Sequence, residues 1–260
     1  MSVIEAVRDL VKRQRLGAVI TVVAGPDLGA KAVIDVDDGL VAGELPADVV
    51  DDALADARQL MEHEQSRTLA YDDREIYIET VAPQPQLLIF GAGHVAQPLS
   101  RIAQELGFRV VVADARAAWA TEERFPDVDE LIQGWPDTVL EQVELDRRTY
   151  VVLLSHDARF EGPVFPAVRH APVRYIGAMG SRRTARMRAE SLTAEGWSQE
   201  EIERIHAPIG IDIGAEEPAE IALSILAEIV RARYGAGTGT SLRGQQGRIH
   251  TQRGAEEGTA

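Results

Sequence analysis

Cysteine is absent from all 260 residues. Disulfides, thiolate metal sites and cysteine nucleophiles are therefore excluded together. Lysine is nearly missing as well, with Lys12 and Lys31 alone, so arginine carries most of the basic charge; its planar fork suits bidentate phosphate contacts. No uninterrupted apolar run reaches membrane-spanning length and no N-terminal stretch reads as a signal peptide, so a cytoplasmic chain without membrane contact is expected. A basic footprint is lacking too. The net charge of −15 argues against nucleic-acid binding.

What is present fits a globular α/β protein. The apolar fraction of 45% suffices for a core without disulfide or metal support. The charge is uneven, −9 over residues 1–84 and −6 over 85–260, with one basic exception: Arg182, Arg183, Arg186 and Arg188 fall within seven residues.

Apolar positions 3, 4, 7, 10 and 11 predict a helix over Val3–Leu16. β-rich runs follow at Ala18–Val23, Lys31–Val36 and Leu40–Ala42, then a helix from Pro46 to about Glu64 and a hairpin of Arg67–Tyr71 with Glu75–Val81. Pro83-Gln84-Pro85 reads as a linker, which makes residues 1–84 a small α/β domain. Beyond it strands and helices alternate regularly. Apolar strands are expected at Leu87–Phe90, Phe108–Ala113, Leu131-Ile132, Tyr150–Leu154 and Val173–Ile176, and helices at 94–106, 181–195, 199–205 and 217–234. That alternation predicts a doubly wound parallel sheet of Rossmann type over 85–235, while 236–260, poor in apolar residues, reads as a disordered tail.

Four elements carry chemistry. In the first, a strand runs through Gly91-Ala92-Gly93-His94-Val95-Ala96 into a helix. Gly91 permits the sharp turn, Gly93 lets a pyrophosphate approach the backbone, and Ala96 lets the helix pack closely, with its free N–H groups facing the phosphates. Asp114, 21 residues after Gly93, ends the next strand where a ribose-binding carboxylate is expected. Arg116 either contacts a 2′-phosphate or is a surface charge. In the second, Gly177, Gly180, Ser181, Arg182 and Arg183 form another strand-to-helix glycine turn, either an anion site or a capped helix with a solvated basic face. The third, Ser155-His156-Asp157, follows a buried strand on the same edge. Its adjacent residues cannot form a catalytic triad. His156 is either a proton-transfer group or part of a polar loop, and His94 is equally open. In the fourth, Pro208–Ala215, Asp212 either orients a ligand or pairs with an arginine for structure.

In this order, these elements resemble the xanthine dehydrogenase accessory protein family (XdhC/CoxI), over about residues 75–234. The resemblance rests on Phe90–Ala96, Arg124-Phe125-Pro126, Ser155-His156-Asp157, Ile176–Arg183, Pro208–Ala215, Pro218–Ala222 and Ser224–Ile229. It implies maturation of molybdenum hydroxylases: binding molybdopterin or its cytosine dinucleotide form, protecting it during sulfuration and delivering it to the apo-enzyme. A cysteine desulfurase is the implied second partner, and a homodimer an open assembly state. The family's N-terminal glycine–serine–threonine–proline and glycine–cysteine–x–glutamate motifs are replaced here by Ala24–Gly29 and Val41–Leu45. Two alternatives use the same turn: an NAD(P)-dependent oxidoreductase with His156 as proton donor, and a regulatory protein that binds NAD(P).

Overall fold

The computed structural model describes residues 1–155 and 158–244. His156 and Asp157 lie outside the described residues, as does 245–260 of the expected tail; residues 236–244 hold only one 3₁₀ turn, at Leu242–Gly244.

Ser2 and Glu5 form a capping box that starts α1 (Val3–Lys12). Next come β1 (Gly17–Ala24), β2 (Lys31–Asp35), β3 (Gly39–Glu44), α2 (Val50–Glu62), β4 (Arg67–Tyr71) and β5 (Arg74–Val81). The five strands make one antiparallel sheet in the order β3-β2-β1-β5-β4. Alternation along the strands feeds two cores. Ile20, Val22, Ile34, Ile76 and Ile78 pack under Ala53, Ala57 and Met61 of α2, whereas Val33 and Ala42 pack under Ala6 and Leu10 of α1. The helix expected from Pro46 starts four residues later, because Pro46 accepts from Val49 and Val50 N–H in a preceding turn.

Residues 82–85 then lead to β6 (Gln86–Phe90), α3 (Ala96–Glu105), β7 (Arg109–Asp114), β8 (Glu130–Gln133), α4 (Pro136–Leu140) and β9 (Thr149–Leu153). They are followed by α5 (Ala158–Arg169), β10 (Tyr175–Ala178), α6 (Arg182–Ala194), α7 (Gln199–Glu203), β11 (Ile205–His206) and α8 (Pro218–Tyr234). All six strands are parallel, in the order β11-β10-β9-β6-β7-β8. This is the Rossmann order, counted outward from β6. β6 and β9 are buried at every position because helices cover both faces. Leu99 and Ala103 of α3 meet Ala222, Ile225 and Ile229 of α8 on one face; Val139, Phe160, Val164 and Leu192 of α4, α5 and α6 cover the other.

Two sequence expectations shift. The strand expected at Val173–Ile176 runs from Tyr175 to Ala178, since Arg174 N–H donates to Thr149 O at 2.9 Å before the ladder opens. The two-residue β11 is too short to leave a periodic signal.

The N-terminal unit docks where the parallel strands begin. Arg174, just before β10, donates to Glu62 O and, at 2.8 Å, to Arg233 O. Arg233 at the end of α8 pairs with Glu64 at 2.7 Å, and Gln65 donates to Tyr234 O. The carboxyl edge of the sheet, where the glycine turns lie, faces away from these contacts.

Candidate cofactor-binding crevice

After β6 the chain passes to the α3 face, and after β9 to the α5 face, so the neighbouring loops diverge and leave a crevice at this switch point. Gly91 (φ 108) makes the turn at the end of β6; a Cβ there would sit 3.1 Å from Ser155 N. Leu154 N–H bonds Phe90 O, Met179 N–H bonds Leu153 O and Ile209 N–H bonds Ala178 O. Along the edge the order is therefore Asp114, the Gly91 turn, Ser155, the Met179 turn and the Pro208 loop.

Gly93 differs from Gly91. Its φ is not positive, and a Cβ on it would meet nothing within 4 Å. The protein's own packing does not require glycine here; the space above the turn is open. α3 begins at Ala96, two residues later than the sequence suggests, which leaves His94 and Val95 in the turn. Among the described residues no hydrogen bond is taken by the N–H groups of Gly93, His94 and Val95, and no side chain caps the helix. Of the eight α-helices described, only α3 and α6 start without an acid in the first turn. Helix N-termini favour negative charge, and these two carry none of their own in the first turn, although Ser181 caps α6.

Asp114 is fully buried and already engaged. Its Oδ2 accepts from Ala92 N–H at 2.8 Å and Arg116 Nη2 at 2.7 Å, and its Oδ1 accepts from Arg116 N–H and Nε, each at 2.9 Å. Burial pushes this carboxyl up, but the Arg116 bonds and the two backbone N–H groups outweigh it and hold it below the ordinary range. Asp114 thus builds the turn, and ribose hydroxyls would reach it only in competition with Arg116. Arg116 is neither a loose surface charge nor committed to a ligand. Its guanidinium lies 4.9 Å from the Trp119 ring centroid; Arg124 lies 4.6 Å from the same ring, and the exposed His94 ring meets Trp119 edge-on at 5.3 Å.

The second turn splits the residues expected there. Gly177 lies inside β10, buried beneath Ile209 and Tyr175, which fill the space a Cβ would need, so its role is packing. Ser181 caps α6 by accepting from Thr184 N–H at 3.1 Å, and Arg182 and Arg183 are exposed. Arg188 alone of the four clustered arginines is buried. It donates to Glu161 from Nε (2.9 Å) and Nη2 (2.6 Å) and to Met179 O at 3.1 Å. Asp212 is exposed; its Oδ1 accepts from Gly214 N–H at 3.4 Å, and it makes no arginine pair among the described residues.

Sequence reasoning missed the Glu228 cluster. Tyr175 Oη donates to Glu228 Oε2 at 2.6 Å, Gly210 N–H donates to the same oxygen at 2.8 Å, and His206 Nδ1 lies 3.2 Å from Oε1. Burial raises the Glu228 carboxyl, but the bonds from His206, Tyr175 and Gly210 prevail and hold it low. Its signal was available: Ile221, Ile225 and Glu228 share a helix face at i, i+4, i+7, and a buried tyrosine needs a partner.

A surface groove of about 610 Å³ runs elsewhere, along residues 122–131, lined by Glu122, Glu123, Asp129 and Glu130. Acidic walls do not suit a phosphate. Among the described residues no group of histidines and carboxylates could hold a metal, and no helix is long and apolar enough to cross a membrane.

The chain is 32% identical over 159 residues to a probable xanthine dehydrogenase subunit of Bacillus subtilis, which covers 61% of this chain and 46% of that one. It is 34% identical over 151 residues to the molybdenum cofactor insertion chaperone PaoD of Escherichia coli, covering 58% and 41%. It thus spans less than half the length of these curated relatives. A crystal structure described as a xanthine dehydrogenase from Bacillus halodurans shares the fold, with a TM-score of 0.53 at 19% identity over 93% of this chain and 98% of that one. Residues 87–229, the sheet and helices that build the crevice, match the XdhC Rossmann domain, and the chain belongs to that family.

Proposed function

We propose that this chain is a maturation factor for molybdenum hydroxylases that holds the molybdenum cofactor as cargo, with the nucleotide end of its dinucleotide form in the β6/β9 crevice. The observation that carries the reading is the start of α3: three unengaged N–H groups below open space at Gly93, on a helix without a first-turn acid. The name of the Escherichia coli relative, a cofactor insertion chaperone, supports the same role.

In this reading Gly93, His94 and Val95 donate to the diphosphate, and the sugar lies toward Asp114 and Arg116. Arg116 offers the outer charge there, since Asp114 is engaged in the turn. The cargo's molybdenum centre supplies oxygen-transfer chemistry only after delivery to the client enzyme. The chain's part is to bind, shield and release it, with the hydroxylase apo-enzyme and a cysteine desulfurase as partners and cytosol as the place of work.

Denaturing chain purified from cells that make a molybdenum hydroxylase tests this. A fluorescent pterin carrying a cytosine nucleotide, identified by mass spectrometry, is the expected release. Chain that takes up NAD(P) and never a pterin would overturn the reading in favour of a nicotinamide-binding protein.

A further inference from the structure

We propose that the turn Met179–Arg183, backed from below by Arg188, is a second oxyanion subsite, separate from the Gly91 turn and suited to a tetrahedral oxyanion such as phosphate. That it serves another anionic group of the same cargo rests on the proposed function; the anion binding itself does not.

Two independent observations meet at this turn. The first is the start of α6, a 13-residue helix capped by Ser181, with no acid in its first turn and with Arg182 and Arg183 exposed there. The second is the buried Arg188 guanidinium. Helical side chains lean toward the N-terminus of their helix, and Arg188 accordingly reaches back to Met179 O at 3.1 Å. One edge of the guanidinium is filled by Glu161. At its end Nη2 holds the Met179 carbonyl, while the neighbouring Nη1 is buried with no hydrogen-bond partner. Native structures rarely leave a buried charged donor unsatisfied. Because the guanidinium is planar and its Nε–Nη2 edge is taken by Glu161, an N–H of Nη1 shares the end at which Nη2 meets the carbonyl of Met179, the residue that opens the turn. Glu161 neutralises Arg188 as a pair, so the net positive charge comes from Arg182, Arg183 and the helix end, and Arg188 contributes the directed donor. An anion seated on the turn amides, with a small outward shift of the turn, completes its bonding.

Equilibrium dialysis of the full chain against radiolabelled inorganic phosphate tests the proposal. Gly93→Val, which closes the first turn, is expected to leave one saturable phosphate site per chain. In that background Arg188→Gln is expected to weaken the site about tenfold or more, the effect of losing one hydrogen bond to a charged group. Should Arg188→Gln unfold, Ser181→Glu leaves the buried pair intact and sets a carboxylate on the exposed turn, and the same loss is expected. No saturable site in Gly93→Val, or equal affinity in the folded Arg188→Gln or Ser181→Glu chains, overturns the subsite. Saturable phosphate in Gly93→Val, with no pterin nucleotide bound by the wild-type chain, leaves the subsite standing and removes the proposed function instead.

Discussion

Gly91 and Gly93 stand two residues apart in the same turn, yet they should respond oppositely to substitution. At Gly91 the positive φ of 108 and the Ser155 amide, 3.1 Å from where a Cβ would sit, make glycine a requirement of the fold. Left-handed strain alone costs roughly 1–2 kcal/mol in an L-residue, so Gly91→Ala should lose about 2 kcal/mol or more once the contact is added. At Gly93 neither term applies. Gly93→Ala should be neutral or gain up to about 1 kcal/mol from the stiffer unfolded chain, and Gly93→Val should stay folded. Its cost falls on the ligand. The valine methyls occupy the open volume where a phosphate would meet the Gly93, His94 and Val95 amides. Each charge-assisted bond is worth about 1.5–3 kcal/mol, so excluding two weakens binding by at least about 3 kcal/mol, roughly a hundredfold. Thermal melts report the first quantity, and calorimetric titration with a cytidine nucleotide the second. A Gly93→Val chain that melts normally and binds normally would refute the reasoning; so would a Gly93→Ala chain that melts far below wild type.

Asp114→Asn should lose about 1.5–3 kcal/mol near neutral pH, because Ala92 and Arg116 lose a charged acceptor. The wild-type carboxyl is held below its unfolded value, so its contribution is complete above about pH 4 and fades as pH falls through the lowered folded value. The acid limb of a stability–pH curve should therefore be shallower in Asp114→Asn, and equal slopes would contradict this. Glu228 has the same sign: Glu228→Gln should cost about 1–3 kcal/mol at neutral pH and less in acid, with faster amide exchange at Gly210 once its acceptor is weakened. Glu64→Ala strands the half-buried Arg233, a loss of about 3 kcal/mol, and protease should then cut within 82–85 sooner than in wild type. Unaltered cleavage would mean that the pair does not hold the two sheets together.

The parallel half of the fold was legible because its signal is local. Runs such as Leu87–Phe90 and Tyr150–Leu154 are wholly apolar, as only a strand covered on both faces can be, and they are separated by helix-length segments. Gly91, Gly93 and Asp114 could be placed from spacing alone, and in the structure Asp114 accepts from the N–H of Ala92, the residue between the two glycines. What stayed hidden depends on contacts across the chain. That Asp114 is engaged by Arg116, that Gly177 lies under Ile209 and that Arg188 reaches Met179 are facts of packing, with no periodic trace. Of four clustered arginines, position 188 alone falls four residues before the buried Leu192, which marks it as the core-facing member; read as a charge run, the cluster concealed that.

The missing cysteine bears on one half of the molecule only. Every group assigned to anion binding, from Gly93 to Arg188, belongs to the parallel-sheet unit, and the N-terminal unit meets that unit through Glu62, Glu64 and Gln65 at the opposite edge. The stretches that replace the two N-terminal motifs lie in the antiparallel unit: Ala24–Gly29, in place of glycine–serine–threonine–proline, from the end of β1 toward β2, and Val41–Leu45, in place of the thiol-bearing motif, along β3 and just past it, with Ala42 packed beneath α1. Loss of the thiol therefore leaves the amides at the start of α3 and the Arg188 donor untouched. On the proposed reading, grip on the anionic parts of a ligand and chemistry at a thiol are separable functions, and the groups assigned to the first all lie outside the antiparallel unit.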